Sequence, residues 1–391
     1  MFLRDSRLLI AEDLRDFPVV TLLGARQVGK TTVARQVVDS LGVDSVFLDL
    51  EKDEDRNKLT DAAAFLRMHA NKLVVIDEAQ AVPDIFRVLR PLVDEDRSAG
   101  RFLLLGSATP ALVKGVSESL AGRTTYIKLQ PLSVIETTAD NLRYQWFTGG
   151  YPASVLAVSA RARQRWFAGY IESYIQNDLN TMFGINLSPV VVKRLWSMLA
   201  HNHGNLWNAE SFSRALGISG TTVHRYLEYM EGAFVVQLLQ PWHANLKKRL
   251  IKSPKVFLND SGLLHQMLNI RDSDSLLGNP ICGASWEGFV IQEIMKQLPE
   301  EVQIHFYRTQ HGAECDLVLS VAEKPILALD VKLSNAPSVS RGFIQSLDDL
   351  GLEKGWVITP ESDQYPLNNR VNVISLSNFL GRIKSLDSTE W

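Results

Sequence analysis

Between residues 18 and 130 the chain alternates short apolar runs with stretches of helical spacing. The runs PVVTLL (18–23), SVFLDL (45–50), KLVVI (72–76), RFLLL (101–105) and TYIKL (125–129) lack the inside–outside alternation of a half-exposed strand. Strands that are apolar on both faces must be covered on both faces. The pattern therefore predicts a doubly wound parallel sheet between layers of helix, supplied by segments such as TTVARQVVDSL and PDIFRVLRPLVDE. Five such runs in this span make one α/β domain over residues 1–130.

The pattern changes at Pro131. Residues 131–187, rich in Trp, Tyr, Leu and Arg, read as a helical lid or connector interrupted at Gly149-Gly150 and Pro152. Residues 188–275 read as short helices followed by a hairpin-like basic stretch. Residues 276–391 give a helix (SWEGFVIQEIMKQL), three strands (VQIHFYR, ECDLVL, PILALDVKL), a helix near 338–350, the strand KGWVIT and a closing strand and helix. The length of 391 residues suits several cores of this kind.

Composition narrows the class. Apolar residues make up 46% and charged residues 22%, and 41 Lys+Arg against 44 Asp+Glu leave a net charge of -3. Bulk electrostatic binding to nucleic acid is thereby excluded, but a local basic face is not. Two cysteines, Cys282 and Cys315, are too few for a disulfide scaffold, which points to a reducing cytoplasm. The N-terminal apolar stretch is broken by Arg4, Asp5 and Arg7, and no run is long enough to predict a membrane span.

The sharpest chemical signal is GARQVGKT, Gly24 to Thr31, which fits G-x-x-x-x-G-K-[ST] between a strand and a helix. Glycines let backbone close around phosphate oxygens, and the following helix presents free N–H groups to the anion. The loop Gly24, Ala25, Arg26, Gln27, Val28, Gly29, Lys30, Thr31, Thr32 is the expected ATP cradle. Lys30 is expected to reach the terminal phosphates and Thr31 to ligate Mg2+. The run KLVVI leads straight into Asp77 and Glu78, placing Asp77 on the metal side and Glu78 as the base for water. Ser107, just past RFLLL, is a candidate to orient water, and Arg123 a candidate to stabilise γ-phosphate charge in its own or a neighbouring subunit. Ser107 reads equally as a helix cap and Arg123 as a surface group.

GARQVGKTT, VVIDEAQ, LLLGSATPALV and SLAGRTTYIKLQPLSVIE, with the later FTGGYPASV and WFAGYIESYIQNDL, resemble a group of prokaryotic AAA-type P-loop ATPases. The resemblance extends over nearly the whole chain. It implies an AAA-type core, a homo-oligomer, and a C-terminal region similar to a nuclease fold. Where that family usually has Pro, this chain has Ala25.

In residues 208–236, a helix around Ser211–Leu216 ends at Gly217, and a second, capped by Thr221 or Thr222, runs through Met230. Ala215, Leu216, Ile218, Val223, Leu227 and Met230 form the expected apolar seam of a helix-turn-helix. PWHANLKKRLIKSPK (241–255) follows with five cations and no acid. The whole resembles a winged helix. Thr221, His224 and Arg225 would then face a groove of double-stranded DNA, and Lys247, Lys248, Arg249 and Lys252 its phosphates. Such folds also serve as packing modules, and Glu228 and Glu231 oppose phosphate approach.

In the last block, Asp316 and Asp330 fall on adjacent strands of a hairpin turned at Ala322–Pro325, with Lys332 on the face of Asp330. Two carboxylates can hold Mg2+, Lys332 can activate water, and Glu287 on the preceding helix can add an oxygen. This D…D-x-K pattern resembles the PD-(D/E)xK nuclease superfamily with its restriction-endonuclease-like α/β fold. Two readings follow: an ATPase coupled to DNA binding and cleavage, or an ATPase switch whose C-terminal half is a non-catalytic scaffold for DNA or protein.

Overall fold

The structure is a computed structural model that describes residues 2–107, 116, 118–137, 142–174, 188–243 and 251–385. The chain divides into two compact units. One comprises residues 1–138, 151–189 and 228–235; the other comprises residues 139–150, 190–227 and 236–391.

In the first unit, β1 (Val19–Gly24), β2 (Ser45–Asp49), β3 (Leu73–Asp77), β4 (Phe102–Gly106) and β5 (Thr124–Leu129) lie in the order β2-β3-β4-β1-β5. Every neighbouring pair is parallel. The apolar runs become strands within a residue or two, and β1, β3 and β4 are buried along their whole length. Helices α1 (Ser6–Asp16), α2 (Lys30–Leu41) and α3 (Ile85–Glu95) belong to the same unit. On α3, Ile85, Phe86, Leu89, Leu92 and Val93 bury one stripe at helical spacing. Helix α4 (Ala160–Ser173) carries Trp166, Phe167 and Tyr170, whose rings pack with Tyr151. The strand order has one consequence for chemistry. β4 lies between β1 and β3, so Ser107 emerges between the ends of the strands carrying Gly24 and Asp77.

Residues 189–258 form α5 (Pro189–His201), β6 (Asn205–Leu206), α6 (Ala209–Leu216), α7 (Gly220–Gly232), β7 (Val236–Leu239) and β8 (Lys255–Leu258). The strands make an antiparallel sheet in the order β6-β8-β7. Gly217 ends α6 in the left-handed conformation, as the sequence requires. Two details differ from expectation. The cap of α7 is Ser219, whose hydroxyl accepts the Thr222 N–H at 3.1 Å, because the helix begins a residue earlier than Thr221. Ala215 is exposed, and Phe212 takes its place in the seam, four residues before buried Leu216.

The C-terminal part contains α8 (Ser261–Met267), α9 (Cys282–Met295), β9 (Val302–Arg308), β10 (Glu314–Val321), β11 (Lys324–Val331) and α10 (Arg341–Leu350). β12 (Gly355–Thr359), β13 (Tyr365–Pro366), β14 (Val371–Ser375) and α11 (Leu376–Ser385) follow. The mixed sheet has the order β13-β14-β12-β11-β10-β9, with β10–β11 antiparallel and β11–β12 parallel. Ala322 and Glu323, at φ 47° and 61°, turn the β10–β11 hairpin. Two consecutive left-handed residues match the twist of the strands they join.

Candidate functional site

β1 delivers the chain into the loop at Gly24, where an added Cβ would stand 2.7 Å from the Leu129 carbonyl oxygen of β5. No larger residue fits beside that strand. Gly29, at φ 102°, then turns the backbone into α2. Lys30 opens the helix, buried, with Nζ donating to the carbonyls of Gly24 and Ala25 at 3.2 Å each. Burial pulls its pKa down, against the pull of Glu78 and Asp77. The neighbouring Thr31 hydroxyl donates to Asp77 Oδ2 at 2.5 Å, spanning from α2 to the end of β3.

Glu78 follows Asp77 in a left-handed conformation (φ 51°) and accepts a hydrogen bond from Gln80. Burial raises its pKa, partly offset by Lys30. A cavity of about 510 Å³ is lined by Gly29, Lys30, Thr31, Thr32 and Glu78, together with the apolar Phe2, Leu132, Pro152 and Leu156. Within the loop, Ala25 and Val28 are buried, Arg26 pairs with Glu51 at 3.6 Å, and Gln27 accepts from Trp166 Nε1 at 3.0 Å. Magnesium takes oxygen ligands, and the adjacent Thr31 and Asp77 oxygens fit that demand.

A residue that motif reading misses supports this loop. Arg4 is buried, and its guanidinium donates to the carbonyls of Val28 (3.0 Å) and Gln130 (2.6 Å) and to Glu136 (3.0 Å). A lone arginine near a chain start carries no local signal. Its role depends on three partners scattered over the sequence.

Ser107 is buried at the end of β4, beside the strand that carries Asp77. Arg123 requires a correction for its own subunit. It precedes Thr124, which is level with Val19, whereas the phosphate loop starts at Gly24, level with Leu129. Five strand residues amount to about 16 Å, so Arg123 lies at the opposite end of the strands from its own loop. There it makes a two-pronged ion pair with Asp94 of α3, at 2.8 Å on each prong.

In the second unit, the hairpin brings Asp316 and Asp330 together. The Val331 N–H donates to Asp316 Oδ2 at 2.9 Å, and Lys332 Nζ donates to Asp330 Oδ1 at 2.8 Å. Asp330 Oδ2 is buried without a hydrogen-bond partner. Burial and Asp316 push the Asp330 pKa up to about 8. Glu287 lies close by but is engaged by Lys255, with Nζ to Oε1 at 2.8 Å. Burial and Asp316 raise the Glu287 pKa to about 7, against the pull of Lys255.

Lys255 closed the basic stretch in the sequence, yet it points inward, 3% exposed, with Glu314 at 3.7 Å and Asp316 at 3.8 Å. Burial pulls its pKa down, but Glu287 and Asp316 reverse that and hold it above the ordinary lysine value. Glu287, expected as a further oxygen ligand, is thus found with its Oε1 paired to an ammonium. Among the described residues, no three His, Cys, Asp or Glu side chains are gathered as a metal cluster.

On α7, Thr221, His224 and Arg225 are exposed while Val223, Tyr226, Leu227 and Met230 are buried. Glu228 and Glu231 are exposed on the same helix, and Lys252 is exposed before β8. Lys247, Lys248 and Arg249 lie outside the described residues.

Comparison with known proteins places these features. Residues 16–138 match the family model for an AAA domain. Residues 139–274 and 282–379 match two domains of unknown function, DUF8612 and DUF4143. Rv2008c of Mycobacterium tuberculosis is 38% identical over 377 residues, covering 96% of this chain and 84% of that protein. The chain belongs to the family of Rv2008c. Mb2031c of Mycobacterium bovis matches at the same 38% identity and the same coverage. A Haemophilus influenzae protein is 26% identical, covering 63% of this chain and 68% of its own. Among solved structures, the Walker-type ATPase PABY2304 of Pyrococcus abyssi is similar at 14% identity and a TM-score of 0.47, covering 68% of this chain and 96% of that one. Among the described residues, no helix is long and apolar enough to cross a membrane.

Proposed function

We propose that this AAA-type protein hydrolyses ATP with Mg2+ and couples the nucleotide cycle to double-stranded DNA held by its C-terminal half. One observation carries the first part: Lys30, Thr31 and Glu78 line one cavity, and Asp77 at the end of β3 is joined to it by the hydrogen bond from Thr31. Lys30 neutralises terminal phosphates, and Thr31 with Asp77 holds the metal that withdraws charge from them. Glu78 accepts a proton from the attacking water, its burial raising its basicity. Ser107 is the candidate to position that water. Arg123 acts in trans, on the γ-phosphate of a neighbouring copy in a homo-oligomer. Both cysteines are free and buried, which suits a reducing cytoplasm.

The DNA reading takes α6, α7 and the sheet β6–β8 as a winged helix, and is supported by the exposure of Thr221, His224 and Arg225. Of the two readings of the nuclease-like C-terminal sheet, the engagement of Glu287 by Lys255 favours the scaffold over cleavage. The deciding experiment is phosphate release by full-length protein with and without Mg2+. Glu78→Gln should bind ATP and lose about 10²–10⁴-fold in turnover. Equal turnover in Glu78→Gln and wild type defeats the assignment. Failure of Arg225→Glu to weaken a duplex gel shift defeats the DNA reading alone.

A further inference from the structure

We propose that Lys255 is the resident cation of the C-terminal carboxylate pocket, standing where a divalent ion beside Asp316 would have to stand, so that the pocket works without metal. The inference concerns this pocket alone and does not rest on the ATPase reading.

Lys255 opens β8, the central strand of the three-stranded sheet, with neighbours on both sides at Leu206 and Leu239. Its side chain crosses to the six-stranded sheet and passes the Phe306 ring, with Nζ 5.5 Å from the centroid. The ammonium ends among oxygens of Glu287 on α9 and of Glu314 and Asp316 on β10, at 2.8, 3.7 and 3.8 Å. A divalent ion needs several oxygens converging on one point, closer than a hydrogen bond. Here the converging carboxylates surround a nitrogen that is already positive. An added metal would have to take Glu287 from its lysine and tolerate a fixed like charge beside it.

The far side of the pocket is similarly engaged, because Asp330 Oδ1 holds Lys332 at 2.8 Å. Asp330 Oδ2 has only the neighbouring Asp316 carboxyl beside it, and two carboxylates, one of them already near an ammonium, fall short of the several free oxygens a divalent ion needs. The arrangement is self-consistent in the other direction too. An ammonium buried to this degree is sustained only by paired carboxylates, and these carboxylates are sustained by it.

The test uses full-length, nucleotide-free protein carrying Asp77→Asn, which removes the carboxylate at the phosphate loop. Free Mn2+ is titrated and followed by electron paramagnetic resonance. The expected result is no saturable Mn2+ site, and a melting temperature in Mn2+ that Asp316→Asn does not make more or less metal-dependent. Adding Lys255→Met should create one saturable site per chain, which Asp316→Asn then removes. A saturable site in the Asp77→Asn protein that disappears with Asp316→Asn overturns the inference. So does a folded Lys255→Met protein that binds no Mn2+. Should Lys255→Met fail to fold, the comparison with and without Asp316→Asn decides the matter alone. DNA cleavage is read separately: a metal-binding but non-cutting protein refutes the resident lysine and leaves the scaffold reading standing.

Discussion

Thr31 and Asp77, 46 residues apart in sequence, share a hydrogen bond of 2.5 Å that joins the first turn of α2 to the end of β3. In the proposed ATPase reading these two oxygens would hold magnesium, which would supply positive charge beside the nucleotide phosphates. Replacing Asp77 with Asn keeps the hydrogen-bond acceptor but removes the charge. We expect Asp77→Asn to bind ATP in EDTA about as well as wild type and to lose the gain in affinity that Mg2+ brings. Calorimetric titration with and without the metal checks this, and an undiminished Mg2+ effect would refute it.

Arg4 ties the N-terminal segment to the phosphate loop through Val28 and to the end of β5 through Gln130. Its pair with Glu136 is about 6–7% exposed on both sides, so truncation strands a buried carboxylate. Arg4→Ala should destabilise the protein by about 3–5 kcal/mol. Urea unfolding measures the loss, and a change under 1 kcal/mol would show the clasp to be dispensable.

The separation of Arg123 from its own phosphate loop makes a complementation experiment decisive. Arg123→Ala and Glu78→Gln should each be nearly inactive alone. Mixed, they should regain ATPase activity, because an intact active site in one copy meets an intact Arg123 from the other. If Arg123 serves only to hold Asp94, mixing restores nothing, and Asp94→Ala reproduces the Arg123→Ala defect.

His265 is buried, its Nδ1 at 2.9 Å from the Phe147 carbonyl and its Nε2 at 2.7 Å from Ser285 Oγ. Burial lowers its pKa from 6.5 to about 4. A histidine depressed in this way is neutral when folded and charges more readily when unfolded. Its contribution is complete above pH 6.5 and shrinks as pH falls toward 4. The carboxylates raised by burial, Glu287, Asp330 and Asp260 (the last to about 6), act oppositely but are common to wild type and variant. The stability difference between wild type and His265→Gln should therefore be largest at pH 7 and fall by roughly 3 kcal/mol near pH 4. Denaturation curves across this range test it, and a pH-independent difference would contradict the burial of a neutral imidazole.

Arg225 and His224 are exposed on α7, but Glu228 is exposed one turn on. If this face meets duplex DNA, Glu228→Gln should tighten binding and Arg225→Glu should weaken it, each in a salt-dependent way. A gel shift at two ionic strengths distinguishes this from a packing module, for which neither change matters.

Some of this protein was determined by consecutive residues. The five apolar runs became strands because a doubly covered strand shows no alternation. Gly24 to Thr31 became a loop opening a helix, because glycine at fixed intervals permits only a few backbone paths. The hairpin between Asp316 and Asp330 was legible for the same reason, since strand period and turn length set which side chains meet. Tertiary structure decided the rest. Arg123 looked like a member of its own or a neighbour's ATP site until the register of β5 on β1 put it at the other end of the strands from its own loop. Lys255 looked like the last cation of a solvated stretch, because a lysine before VFL reads the same whether it points out or in. It points in, since carboxylates from α9 and β10 are there to receive it. Arg4 gave no signal at all. Periodicity and turn chemistry are local properties, written in neighbouring residues. Whether a charge is solvated or buried depends on which distant oxygens the packing brings within about 3 Å, and no run of sequence encodes that distance.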